Sequence, residues 1–334
     1  MKVALFDLEK NEIETYSQLL SESSEVECHT EPFSEDTIEL ASSAEVISVF
    51  VTSKITAAML AKLPNLKYIV CRSTGYDNID IESAKNHDVA VCNVPNYGEH
   101  TVAEYAFALL LSLTRKIQDS IAQVQDGQID HTLLVGTDLA GSTLGVIGAG
   151  KIGQRVIKIA KGFEMNVVAY DPFPKPEVAK RLGFEYVELD DLLTTSDFIT
   201  LHVPAVKENQ KLIDKETLCK LKSSAILINT ARGDLVDNLA MIDALQNNKL
   251  AGAGLDVLDG EAMIDIDQEM ALLKNGSAKE LKLSAELAVL EKMPNVILSP
   301  HNAYNTKQAL QRIRKSTVET IIGFGESKII NQVN

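Results

Sequence analysis

The chain is short of positive charge. It carries 32 Lys and Arg against 47 Asp and Glu, a net charge of −15 at neutral pH. Phosphate backbones are bound by clustered Lys and Arg, so nucleic acid is excluded as an expected partner. Long apolar runs are missing as well. None approaches the ~20 residues that a membrane span needs, so no membrane partner is expected. Only four cysteines are present, Cys28, Cys71, Cys92 and Cys219, with no CxxC pair and no His/Cys metal spacing. They read as reduced, mostly buried thiols of a cytoplasmic protein, and no metal site is expected. The segment Met1–Asp7 reads as a strand rather than a signal peptide, because an acid comes too early. Low-complexity segments and short-period repeats are also missing. Tryptophan is absent, which decides nothing.

What is present points to two α/β domains. Hydrophobic residues make up 45% and charged residues 24% of the 334, as in an ordinary globular protein of about two domains. The first hundred residues alternate short apolar runs with helical stretches. Strands are expected at Val3–Phe6, Val46–Val51, Lys67–Cys71 and Val89–Asn93, with helices near Glu12–Ser21, Thr56–Lys62 and Ile81–Asn86. Such alternation implies a parallel sheet covered on both faces. From Thr101 to about Val124, apolar residues recur at helical spacing. One long buried helix is expected there, at a domain junction or a subunit interface.

A second alternating series begins at Ser142. Its strands are expected at Thr143–Ile147, Asn166–Tyr170, Phe198–His202, Ala225–Asn229, Gly252–Val257 and Val296–Ser299. Six strands with intervening helices fit a Rossmann domain. The helix Thr306–Phe324 comes too late for that count and is expected to return to the first domain. The expected fold is therefore two Rossmann-like, doubly wound parallel-sheet domains with a cleft between them. Residues 1–100 plus 301–334 would form one, flavodoxin-like, and residues 101–300 the other.

The richest stretch is Leu144–Gly153, an apolar strand entering a glycine turn and then a helix. Gly148 allows the tight turn, Gly150 lets backbone approach a pyrophosphate, and Gly153 lets helix pack on strand. The helix N-terminus offers free N–H groups to phosphates. Asp171 ends the next strand, where an acid accepts hydrogen bonds from the adenosine ribose and repels a 2′-phosphate, favouring NAD over NADP. The alternative for Asp171 is a local cap before Pro172. Arg232, in Asn229–Gly233, follows an apolar strand, where open α/β sheets bind ligands. Its planar fork suits a carboxylate, though a surface ion pair is the competing reading. Residues 254–261 end another strand in three acids, which a solvated loop would also explain. Of six histidines, His29, His87 and His131 lie in polar stretches, and His100 reads as a surface residue. His202 ends a strand and could pack near a cofactor. His301, after the last strand, is the best acid/base candidate by position.

These segments in order carry a resemblance. GAGKIG at 148–153, Asp171, HVP at 202–204, NTARGDLVD at 229–237, GLDVLDGE at 254–261 and SPHNAY at 299–304 resemble the D-isomer-specific 2-hydroxyacid dehydrogenases. RSTGYDNID at 72–80 extends the likeness over essentially the whole chain. The long insert Met263–Met293 between Glu261 and His301, and the aromatic Tyr304, lean toward the D-lactate dehydrogenase branch. The resemblance implies NAD as cofactor, a small 2-oxo or 2-hydroxy acid as substrate and a homodimer. It implies that Arg232 grips the carboxylate, that His301 is the acid/base, and that Glu261 pairs with His301. Thr74 and Gly75 match a carboxylate-binding loop, and Phe50, Tyr97 and Tyr304 match the substrate pocket. Lys151, Ile152, Asp171, Val203, Pro204, Asn209, Thr230 and Asp256 match positions around NAD, beside Gly148, Gly150 and Gly153. The family commonly reads Ala-Glu-His where this chain has Ala103-Glu104-Tyr105, a departure in packing or interface. A glyoxylate/hydroxypyruvate reductase or other 2-oxo acid reductase is an alternative. An NAD(H)-sensing, non-catalytic interaction protein is an alternative of another class.

Overall fold

A computed structural model describes residues 1–259 and 277–334. Glu261 and the first part of the insert Met263–Met293 lie outside the described residues. The chain divides into two units, Met1–Tyr97 with Thr306–Asn334, and Gly98–Asn305.

The first unit is built on five parallel strands: β1 Lys2–Leu5, β2 Glu25–Cys28, β3 Val46–Val49, β4 Tyr68–Cys71 and β5 Ala90–Cys92. Their spatial order is β2-β1-β3-β4-β5. β3 and β4 are buried at every position, because helices cover both faces of a parallel sheet. β2 is not a strand that the apolar pattern marks. Glu25-Val26-Glu27-Cys28 alternates exposed and half-buried residues, as a partly solvated edge does. The helix Lys307–Gly325 packs back on this unit, with Ile321 buried and the Phe324 ring stacked on Tyr68 at 4.5 Å. The last residues then extend the sheet. Val333 N–H bonds Val91 O, and Cys92 bridges antiparallel to Gln332.

Among its described residues the second unit holds seven parallel strands: β6 Thr143–Ile147, β7 Asn166–Tyr170, β8 Glu185–Tyr186, β9 Phe198–Leu201, β10 Ile226–Asn229, β11 Gly252–Leu255 and β12 Val296–Leu298. The order β12-β11-β10-β9-β6-β7-β8 is the doubly wound arrangement, with its switch point between β6 and β9. The two-residue edge strand β8 is one more than the apolar runs indicate.

The run Thr101–Val124 does not form the single helix that its spacing predicts. A helix Glu99–Thr114 ends, Lys116 takes a left-handed φ of +52°, and a second helix runs Ile117–Gln125. The Thr114 carbonyl accepts from Thr137 N–H at 2.9 Å, so the returning loop takes the acceptor that the next turn would need. Only the first helix is buried, through Ala103, Phe107 and Leu110 among others. The second buries no residue. Tyr105 packs against the core around the first helix. Of the thiols, Cys71 and Cys92 are buried, Cys28 is partly so and Cys219 is exposed.

Candidate active site

In the second unit the described candidates lie in the segments that follow strand ends. Register sets Ile147 beside Leu201, Leu201 beside Asn229, Asn229 beside Leu255, and Leu255 beside Leu298. The residues just past these positions therefore form one row at the carboxyl edge, the edge at which open α/β sheets take ligands.

The row starts at the glycine turn. Gly148 adopts φ +99°, and a Cβ on Gly153 would meet the Gly148 carbonyl at 2.0 Å, so both positions need glycine. Gly150 caps the helix Lys151–Gly162, and a Cβ there would meet open space. Lys151 is exposed at the start of that helix and Ile152 is half-buried. The Asp171 carboxylate accepts from Ala149 N–H and Phe173 N–H, each at 2.8 Å. It thus joins the end of β7 to the glycine turn. Next in the row come Val203 and Pro204. Asn209 closes their loop, donating from Nδ2 to Pro204 O at 2.8 Å.

His202 directly follows β9 with Nε2 2.8 Å from Thr200 Oγ1, while its Nδ1 is buried without a partner among the described residues. Burial pushes its pKa down to about 3. The unfolded imidazole titrates near 6.5. Between those values the unfolded chain holds a proton that the folded one refuses, so stability falls as pH drops from about 6.5 toward 3. The loss is on the order of 3–5 kcal/mol. In thermal unfolding followed against pH, His202→Gln is expected to flatten the acid limb. Parallel limbs for the two proteins would contradict this.

Past β10, the buried Asn229 side chain shapes the turn. It accepts from Ala231 N–H at 3.0 Å and donates to Arg232 O at 2.8 Å. The one signal in the sequence that marks Asn229 is its place at a strand end, where Asn is a known turn former. Arg232 is half-buried, and its Nη1 donates to Ala231 O at 2.7 Å. Beside it, Thr230 Oγ1 is buried without a hydrogen-bond partner among the described residues. An orphaned hydroxyl in the same row as a positive-φ glycine turn fits a polar ligand laid across the edge. The residues present therefore suit a dinucleotide.

Asp256, past β11, is 1% exposed. Its carboxylate accepts from Ser299 Oγ at 2.6 Å and from Asn302 and Ala303 N–H at 2.8 Å each. Burial raises its pKa, against the pull of those donors and of His301. The Asp256 carbonyl accepts His301 N–H at 2.9 Å. Both ends of Asp256 thus organise the turn after β12. In that turn His301 takes a left-handed φ of +49°, and its ring meets Tyr304 edge-on at 6.5 Å. Arg232 and His301 stand past β10 and β12, two strand spacings of about 4.8 Å apart in the sheet.

The remaining candidates lie in the first unit, also past strand ends. Phe50 follows β3, Thr74 and Gly75 follow β4, and Tyr97 follows β5. The Thr74 loop is pinned by Thr74 Oγ1 on Val94 O at 3.1 Å and by Asn93 Nδ2 on Thr74 O at 2.8 Å. Tyr97 O accepts from Arg312 Nε at 2.7 Å.

Comparison with known proteins agrees with this layout. The family model for the NAD-binding domain of D-isomer specific 2-hydroxyacid dehydrogenases matches residues 107–303. A D-2-hydroxyacid dehydrogenase (NAD+) of Lacticaseibacillus paracasei is 35% identical, over 97% of this chain and 96% of its own length. A glyoxylate reductase of Thermococcus litoralis is 36% identical, over 87% and 84% of the two chains. The crystal structure of the D-lactate dehydrogenase of Aquifex aeolicus, complexed with NAD and lactic acid, superposes with a TM-score of 0.87. It is 34% identical, over 97% of this chain and 96% of its own. The chain belongs to the D-isomer-specific 2-hydroxyacid dehydrogenase family, and is an NAD-dependent oxidoreductase acting on the CH–OH group of D-2-hydroxy acids.

Proposed function

We propose that this chain is a D-lactate dehydrogenase, which reduces pyruvate with NADH to D-lactate. The observation that carries the reading is the row of strand ends: a dinucleotide turn after β6, Arg232 after β10, and His301 held by Asp256 after β12. The likeness to the Aquifex aeolicus enzyme complexed with lactic acid supports pyruvate as the oxo acid. The unit Gly98–Asn305 serves as the NAD-binding domain, and the unit Met1–Tyr97 with Thr306–Asn334 as the substrate domain.

Bound NADH supplies the hydride that reduces C2 of the oxo acid. Arg232 holds the carboxylate and polarises the C2 carbonyl, which both orients the substrate and stabilises charge developing on oxygen. His301 delivers a proton to that oxygen and takes it back in the reverse direction, the work of a positioned imidazole acid/base. Glu261 is assigned as the acid that would orient His301. The Thr74 and Gly75 N–H groups bind the carboxylate, while Phe50, Tyr97 and Tyr304 shape the space for the side chain. Gly148, Gly150, Lys151, Ile152 and Gly153 meet the pyrophosphate side of the cofactor. Val203, Pro204, Asn209, Thr230 and Asp256 line the rest of its site.

Asp171 selects NADH over NADPH by accepting from the ribose hydroxyls and repelling a 2′-phosphate. Asp171→Ala is expected to lower the NADH-to-NADPH ratio of kcat/KM by about tenfold or more, the scale of one charge-assisted contact. Unchanged selectivity would remove that role.

The glyoxylate reductase of Thermococcus litoralis, at 36% identity, favours a second reading as a glyoxylate reductase. Profiling kcat/KM across pyruvate, glyoxylate, hydroxypyruvate, 2-oxobutyrate and phenylpyruvate decides between them. Pyruvate should lead. A glyoxylate preference would replace the first reading with the second.

We also propose a cytoplasmic homodimer. Four cysteines without a disulfide suit a reducing compartment, and among the described residues no helix is long and apolar enough to cross a membrane. Ile121, Val124, Ile129, Leu133 and Val135 are exposed between 53% and 77% within one short stretch. Such an apolar run is suited to burial against a second copy.

A further inference from the structure

Three segments of the first unit converge on Phe50. Asp7 follows β1 with a left-handed φ of +56°, a conformation uncommon outside glycine. Its carboxylate accepts from Phe50 N–H at 2.7 Å, from Thr52 Oγ1, and from Ser53 Oγ at 2.6 Å. From another side the Asn78 amide spans the same loop, its Nδ2 donating to Phe50 O at 2.8 Å and to Ser53 O at 2.7 Å. Arg72 is buried, donates from Nη2 to Phe6 O and to Asp7 O, and sets its guanidinium 5.9 Å from the Phe50 ring centroid. The amide, carbonyl and ring of Phe50 are thus each held by a different side chain.

The place in the sheet gives this arrangement meaning. The order β2-β1-β3-β4-β5 reverses direction between β1 and β3. Ligands of open α/β sheets bind at that switch point, outside the carboxyl ends of the strands. Asp7 lies two residues past β1 and Phe50 one residue past β3. A loop of this kind is ordinarily free to adjust. Here it is fixed by hydrogen bonds to both of its backbone faces.

We infer that Asp7, Arg72 and Asn78 are positioning residues that fix Phe50 and thereby set the size of 2-oxo acid side chain the enzyme accepts. This rests on the proposed placing of Phe50 at the substrate. The physical need is clear. A single methylene changes selectivity only by about 10–200-fold even in a well-formed pocket, and a wall that can swing aside gives up that discrimination. Held in place, Phe50 favours a methyl group over a branched or aromatic side chain.

The test is a double-mutant cycle read as selectivity. For wild type, Asn78→Ala, Phe50→Ala and the double variant, kcat/KM is measured with NADH for pyruvate and for 4-methyl-2-oxopentanoate. Thermal midpoint and NADH affinity are recorded alongside. Asn78→Ala is expected to raise the KM for pyruvate about tenfold with kcat within about threefold. It should lower the pyruvate preference by about tenfold, the scale set by pocket discrimination, and leave NADH affinity unchanged. In the Phe50→Ala background the same substitution should change selectivity less than about twofold, because residues acting through one side chain are not additive. An unchanged preference in Asn78→Ala, or an equal change in both backgrounds, overturns the positioning role. If Phe50→Ala itself leaves the preference intact, the placing of Phe50 at the substrate fails instead. Asp7→Asn keeps the shape and loses acceptor capacity, and it serves if Asn78→Ala does not fold. A shift in the same direction supports the inference, and wild-type selectivity overturns it.

Discussion

Replacing His301 with glutamine is expected to lower kcat for pyruvate reduction by about 10²–10⁴, the usual contribution of a positioned acid/base. Glutamine has nearly the reach of histidine and can still donate a hydrogen bond, but it cannot give up a proton to the C2 oxygen. The effect should fall on turnover, because the turn that carries residue 301 is held by the backbone. His301 N–H bonds Asp256 O and Ser299 O, and the Asp256 carboxylate holds Asn302 and Ala303. Those bonds survive the substitution. NADH affinity and the thermal midpoint should therefore stay near wild type. Stopped-flow measurement of hydride transfer together with steady-state kcat checks the expectation. Wild-type turnover in His301→Gln would assign the proton transfer to another group.

Replacing Arg232 with alanine is expected to lower kcat/KM for pyruvate by about 30- to 5,000-fold, which corresponds to the 2–5 kcal/mol of truncating one partner of a hydrogen-bonded charge pair. The guanidinium stands past β10 on a turn that the Asn229 side chain shapes through Ala231 N–H and Arg232 O. The two Asn229 bonds survive the substitution, although the head group's own bond to Ala231 O is lost. Most of the loss should therefore be in recognition and polarisation of the substrate. Arg232→Lys keeps the charge but loses the planar fork, and it should recover only part of the activity. Steady-state kinetics over a pyruvate series resolves the two variants. Near-normal kcat/KM in Arg232→Ala would reject carboxylate recognition by this residue.

Much of the second sheet is legible in the sequence because its largely buried parallel strands are short apolar runs. Thr143–Ile147 and Asn166–Tyr170 read out residue for residue. The short edge strands, Glu25–Cys28 and Glu185–Tyr186, do not read out, since solvent on one side removes the apolar signal that burial writes. The break at Lys116 is equally silent. No glycine or proline marks it, and its cause is a carbonyl taken by Thr137, more than twenty residues away in sequence. The candidate site divides in the same way. Arg232 and His301 are visible as chemically useful side chains at the ends of apolar runs. What holds them is not visible, because it is made of tertiary hydrogen bonds: Asn229 folding its own turn, Asp256 buried beneath residues 299–303, and Asp7 reaching across to residues 50–53. A residue such as Asp256 reads in sequence as one more acid in a polar loop. Only its burial reveals that its carboxylate serves the next strand's turn.

The central claim is a D-specific, NAD-dependent reduction of a 2-oxo acid at the Arg232–His301 site, against the alternative of an NAD(H)-binding protein without turnover. The most direct test follows NADH oxidation with pyruvate and determines the configuration of the lactate formed. The account predicts one lactate per NADH consumed, all of it the D isomer. NADH binding with no oxidation, or formation of L-lactate, would contradict it.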